Sequence, residues 1–245
     1  MFILVILMSF TLNAQPHEIT VSAAISLKGA FEEIGRMYDR KSSTKVLFNF
    51  GASGDLARQV KAGAPVDIFA SAAEKDMMEL ATLGLLDTTT LTNFAVNTVV
   101  LIVPTETKTT LKSFDDLKRA EVTKIAIGNP RSVPAGRYAI QAFNSFHLLP
   151  GIKDKLIYTE NVQQALDYVE RGEVDAGVVY STDAAFQKGA TVVASAPENS
   201  HDPVVYPIAV VKGSRNQAEA KAFVSFLLSH DGKEVLKRHG FGLTK

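Results

Sequence analysis

The sequence predicts an α/β protein built as two lobes, and three observations carry that prediction. From Glu18 onward short apolar strands alternate with amphipathic helices, the sign of sheets flanked by helices. Two long apolar strands, 97–104 and 204–212, each separate one strand–helix series from the next, so the lobes should be joined by two crossover strands acting as a hinge. The composition suits folded lobes: of 245 residues 46% are hydrophobic and 21% charged, with 26 Lys+Arg against 26 Asp+Glu. That balance excludes a disordered chain and offers no basic excess for nucleic acid. Cysteine is absent, which excludes a disulfide framework, a thiolate metal site, a cysteine nucleophile and a thioether lipid anchor within this sequence.

In chain order, Phe2 to Leu12 is apolar apart from Ser9 and Thr11. It is too short to cross ~30 Å of hydrocarbon as a helix but matches a secretory signal, although no Lys or Arg precedes it. Residues 1–14 are expected to be a signal peptide cleaved near Ala14, giving a periplasmic protein. Ile19–Ile25 reads as a strand, and Leu27, Ala30, Phe31, Ile34 and Tyr38 then recur at helical spacing. Lys45–Phe50 is a strand before a helix carrying Leu56, Ala57 and Val60. Val66–Ala70 is a strand, after which Ser71 and Glu74 have the spacing of a capping box. A similar series follows the first crossover: a short helix at Ser113–Asp116, a strand at Lys124–Gly128 and a helix opened by Pro134-Ala135-Gly136. Next come a strand at Leu156–Thr159, a helix capped by Asn161, and strands at Ala176–Tyr180 and Thr191–Ala194. Two helices end the chain, the last stopped at Gly240. Lobe 1 is expected to comprise 15–98 and 206–245, with 99–205 inserted as lobe 2.

Catalytic signals are thin. The five histidines stand at 17, 147, 201, 230 and 239, without H-x-x-x-H or HExxH metal spacing. No phosphate loop or dinucleotide fingerprint is present. Phe50-Gly51-Ala52-Ser53-Gly54 lies between strand and helix, where a hydrolase would hold its nucleophile, but it lacks the G-x-S-x-G register and a matched histidine. A serine hydrolase using Ser53 is therefore a remote alternative, and a non-enzymatic protein without a cofactor is expected. What stands out instead is a set of helix starts at Ser26, Ser53, Ala135 and Val162. Each offers unpaired backbone N–H groups and the positive end of a helix dipole. In open α/β sheets such turns lie at the carboxyl edge, where ligands bind. Either serine alone is more simply an N-cap, and Tyr180 alone a half-buried aromatic.

The stretches Ala23–Leu27, Phe50–Gln59, Ala62–Phe69, Val133–Gly136, Glu160–Val162, Gly177–Tyr180 and Tyr206–Val211, in this order, resemble the periplasmic molybdate-binding proteins of ABC importers over essentially the whole mature chain. The resemblance implies a type II periplasmic-binding-protein fold, each lobe a mixed, mostly parallel sheet flanked by helices. It implies an oxyanion, molybdate or tungstate, held between the lobes by the hydroxyls of Ser26, Ser53 and Tyr180 and the main-chain N–H groups of Ala135 and Val162. Molybdenum would then be bound only as the oxyanion, by a monomer that passes it to a membrane permease. Sulfate, of the same charge and shape, is the alternative guest. Neither anion carries a proton at neutral pH, so a cage of donors suits both.

Overall fold

Residues 17–106 and 110–244 are described by a computed structural model, so the expected signal peptide lies outside the described residues. The chain begins with β1 (His17–Ala24), a single 3-10 turn at Ile25–Leu27, and α1 (Lys28–Asp39). Next come β2 (Thr44–Gly51), α2 (Ser53–Lys61), β3 (Ile68–Ala70), α3 (Glu74–Thr82) and β4 (Leu86–Val96). The second series is β5 (Val99–Pro104), a 3-10 helix at Phe114–Lys118, β6 (Ile125–Gly128), α4 (Pro134–Ser145) and the single turn α5 (Leu149–Ile152). It continues with β7 (Leu156–Thr159), α6 (Val162–Glu170), β8 (Ala176–Tyr180), the short α7 (Ser181–Ala184) and β9 (Ala190–Ser195). The return segment is β10 (Val205–Val211), followed by α8 (Gln217–Leu227), α9 (His230–Arg238) and β11 (Gly242–Leu243).

The strands form two sheets, one ordered β11-β4-β10-β3-β1-β2 and the other β7-β6-β8-β5-β9. The first lobe's sheet therefore takes strands from both ends of the chain, and the second is an insertion. Both sheets are mixed, but parallel pairing does not predominate as expected. β1 runs parallel to β2 and β3, and β6 to β7 and β8, whereas β10 and β5 pair antiparallel with every neighbour they have. The reason is the crossing itself: a strand that has just arrived from the other lobe enters its sheet from the opposite end.

Each crossing also differs from the expected pair of hinge strands. β5 lies wholly in the second sheet and β10 wholly in the first, so the hinge is the short connection on their N-terminal sides. The two connections run side by side, with the Asn97 N–H donating to Val204 O at 3.0 Å. β10 also contains Pro207, which has no N–H to give a ladder; the register of β10 against β4 shifts between Tyr206 and Pro207.

The apolar periodicity of the helices is realised in burial. Ala30, Phe31, Ile34 and Tyr38 of α1 are buried, Phe31 beside Phe48 of β2 and Phe94 of β4 and Tyr38 beside Phe223 and Phe226 of α8, and Val162, Ala165, Leu166 and Val169 of α6 are buried against the second sheet. The Ser113–Asp116 capping box is present, Asn161 Oδ1 accepts from the Gln164 N–H at 3.0 Å, and Gly240 follows α9 at φ 84°. The Ser71–Glu74 box is not formed. α3 begins only at Glu74 without a side-chain cap, and Ser71 Oγ instead accepts the Ala73 N–H at 3.1 Å in a tight local turn. That turn helps shape the backbone on either side of Ala72, a residue that bears on the site below.

Candidate functional site

All five residues singled out from the sequence line one small cavity between the sheets. Four strand-to-helix turns bring them there, two from each lobe. β1 leads into the 3-10 turn holding Ser26, and β2 leads through Ala52 to Ser53, the first residue of α2. β6 leads to Pro134 and Ala135, the first two residues of α4, and β7 leads to Val162, the first of α6. Pro134 fits the first helical position because its fixed φ is already helical and its missing N–H is not needed there. Tyr180 ends β8 and reaches in from the side.

Neither serine is an N-cap, the plainer reading of each. Ser53 Oγ accepts the Ala72 N–H at 3.0 Å, and Ser26 Oγ lies 3.1 Å from the Tyr206 hydroxyl. The hydrolase alternative fails on the same geometry, since no histidine is among the residues that line the cavity. Ala135 and Val162 sit in the first turns of α4 and α6, where backbone N–H groups have no carbonyl four residues back to bond. Three helices of nine or more residues, α2, α4 and α6, thus point N-termini at one place. Each carries about half a positive charge there, which makes an anion site without a formal cation.

The space is tiny. About 10 Å3 is open to the centre of a water molecule, room for about one water and far below the ~300 Å3 of an organic-ligand pocket. Ser53, Ala135 and Tyr180 are buried to within 1% of complete, and neither Lys nor Arg lines the cavity. Burial pushes the Tyr180 phenol well above its ordinary value, so it stays protonated and able to donate. Its hydroxyl lies 3.4 Å from Ala72 O, a weak bond that a better acceptor would outcompete.

The lobes are shut on this cavity by contacts that a sequence pattern does not display. The Gly54 N–H donates to Ser132 O at 2.9 Å, backbone to backbone across the cleft. Only glycine permits that approach, because a Cβ on residue 54 would fall 2.8 Å from Ser132 O and 2.9 Å from its Cα. On the same side Arg137 of α4 pairs with Asp76 of α3, their side chains only 13% and 6% exposed. Arg137 is two residues from Ala135, yet its charge is spent on Asp76 rather than on the cavity. Sequence reading missed this pair because 61 residues separate its members. An acid in the first turn of an otherwise ordinary helix does not reveal a partner in the other lobe.

Asp183 is the buried acid next to Tyr180. It accepts the Tyr180 N–H at 3.1 Å, but burial outweighs that bond and pushes its pKa up to about 7. The folded protein therefore holds a proton that the unfolded chain releases near pH 4, and this contribution to stability is lost as pH rises toward 7. Asp183→Asn keeps the backbone bond and removes the charge. Thermal melts should show the variant gaining on the parent between pH 4.5 and pH 7, with the advantage level above that.

Comparison with known proteins gives a consistent set of relatives. The pattern of the bacterial extracellular solute-binding proteins matches residues 19–242. The putative ABC transporter substrate-binding lipoprotein YvgL of Bacillus subtilis is 40% identical over 91% of this chain and 85% of its own length. The molybdate-binding protein ModA of Escherichia coli is 38% identical over 93% of this chain and 90% of its own. Among solved structures, the substrate-binding domain of a putative molybdenum ABC transporter from Clostridium difficile is 37% identical, with TM-score 0.72 over 93% of this chain and 99% of that one.

Proposed function

The chain belongs to the bacterial extracellular solute-binding proteins, in the ModA molybdate-binding family, a non-enzymatic substrate-binding component of ABC transport; from that premise we propose how it holds its cargo. Molybdate, and tungstate with it, sits in the cavity between the lobes and takes hydrogen bonds from Ser26, Ser53 and Tyr180 hydroxyls and from the Ala135 and Val162 N–H groups. The observation that carries this reading is the convergence of four strand-to-helix turns, two from each lobe, on a buried space without a charged side chain. Burying a dianion is costly unless its oxygens are hydrogen-bonded. Charge-assisted bonds contribute about 1.5–3 kcal/mol each, so five of them can offset desolvation and the ordering of two lobes. Because the donors come from both lobes, the anion is fully bonded only when the cleft is shut, and opening at the permease releases it without a cation to hold it back.

Residues 1–14 act in this reading as an export signal, the lobes divide at 98/99 and 205/206, and the protein works as a monomer in the periplasm. Calorimetric titration with molybdate, tungstate and sulfate tests the cargo. Molybdate and tungstate are expected to bind tightly and sulfate far more weakly; tight sulfate binding with no heat from molybdate would overturn the assignment. Ser26→Ala and Ser53→Ala are each expected to weaken molybdate binding by about 1–3 kcal/mol. Unchanged affinity would remove that residue from the donor set.

A further inference from the structure

Ser26 is tied to the hinge by a hydrogen-bonded chain whose direction can be read. Its Oγ lies 3.1 Å from the hydroxyl of Tyr206, a wholly buried residue of β10. That hydroxyl is also 3.1 Å from Asn97 Nδ2, and Asn97 is the residue at which the chain first crosses between lobes. The Asn97 amide cannot be turned around. Its Oδ1 accepts the Thr98 N–H at 2.9 Å and the Ser181 hydroxyl at 2.9 Å, while Nδ2 donates to Thr182 Oγ1 at 2.8 Å. Nδ2 is therefore the donor to Tyr206.

The consequence follows from counting protons. Tyr206 O accepts from Asn97, and its one proton is left for its other neighbour, Ser26 Oγ. Ser26 then has a lone pair engaged and its own single proton free to point into the cavity. Burial raises the Tyr206 phenol well above its ordinary value, so that proton stays in place. Ser53, from the same lobe, is set the same way by a main-chain N–H, that of Ala72.

We infer that Asn97 and Tyr206 are positioning residues that fix Ser26 as a hydrogen-bond donor toward the cavity, and thereby set the site against oxyanions that carry a proton. The inference rests on the reading of Ser26 as an anion contact. A protonated oxyanion, such as hydrogen phosphate or hydrogen arsenate, needs an acceptor. With Tyr206 donating to it, Ser26 keeps a single free lone pair beside its inward proton, so it accepts a guest's proton less readily than a serine with both lone pairs free. A fully deprotonated oxyanion makes no such demand.

The test is a double-mutant cycle read by calorimetry on the full chain, with molybdate and with inorganic phosphate near pH 6.5. Tyr206→Phe removes the relay proton and little volume. It should weaken molybdate about 5- to 20-fold, the effect of one modest hydrogen bond. It should also raise phosphate affinity relative to molybdate, because both lone pairs of Ser26 Oγ are then free to accept. In the Ser26→Ala background Tyr206→Phe should cause no further loss of molybdate affinity. Asn97→Asp offers an independent route, because a carboxylate beside Tyr206 draws the proton away from Ser26; its loss should likewise vanish when Ser26 is alanine. If the losses instead add in full, or if both variants keep the parent's molybdate-to-phosphate ratio, Asn97 and Tyr206 do not orient Ser26. Equal molybdate binding by the parent and Ser26→Ala is a different failure, one that removes Ser26 from the site.

Discussion

Arg137→Met is expected to weaken molybdate binding by two to three orders of magnitude at pH 7.5 while leaving the lobes folded. The cause lies outside the cavity. With the cleft shut, Asp76 is 6% exposed, and Arg137 is its ion-pair partner from the other lobe. Burial pushes the Asp76 pKa up and Arg137 pulls it down. Breaking a buried pair by removing one partner costs about 3–5 kcal/mol, because the remaining charge is uncompensated. Parting α3 from α4 would return Asp76 to water, so the penalty is expected to fall on closure and hence on affinity. Protonating Asp76 sets the ceiling, about 4 kcal/mol at pH 7 for an ordinary aspartate, and that ceiling falls by 1.36 kcal/mol for each unit the pH is lowered. The defect should therefore shrink markedly at pH 5. Adding Asp76→Leu to Arg137→Met removes the stranded charge and should restore most of the affinity. A single variant with parental affinity would show that the pair does not matter to closure.

Gly54→Ala is the second large effect, and it separates folding from closure. Gly54 occupies the first turn of α2, where alanine improves helix stability by about 0.5–1 kcal/mol, so the unliganded protein should melt no lower than the parent. The added Cβ meets the Ser132 backbone at 2.8 Å when the lobes are shut. Backbone cannot step aside as a side-chain tip can, and overpacking of this kind costs about 1–3 kcal/mol. Molybdate affinity should fall roughly 5- to 150-fold while Tm holds or rises. A fall in both together would make Gly54 a structural residue of its own lobe instead.

These two effects mark the boundary of what local pattern reveals. The helix starts at Ser26, Ser53, Ala135 and Val162 were legible because a strand, a turn and an amphipathic helix follow one another within a few residues. Within each lobe parallel strands then carry its two turns to the same edge of the sheet. The Ser71–Glu74 box misled because local spacing was right but the backbone there is needed elsewhere: Ala72 gives its N–H to Ser53. β4 went unseen since Leu86–Val96 is rich in threonine, β-branched but polar, and never forms the apolar run by which the other strands announced themselves. The hinge strands were placed within a residue or two, yet their antiparallel entry depends on which end of the sheet the chain arrives at, a property of the assembled lobes. Arg137 with Asp76, and Gly54 with Ser132, are contacts between lobes, and no periodicity in either segment encodes its partner.

A crystal structure of the protein with molybdate bound tests the central claim most directly. The account predicts the anion between the N-termini of α2, α4 and α6, within hydrogen-bonding distance of Ser26, Ser53, Ala135, Val162 and Tyr180, with Arg137 still paired to Asp76. An arginine or lysine turned in to grip the anion, or molybdate seated anywhere outside that cavity, would contradict it.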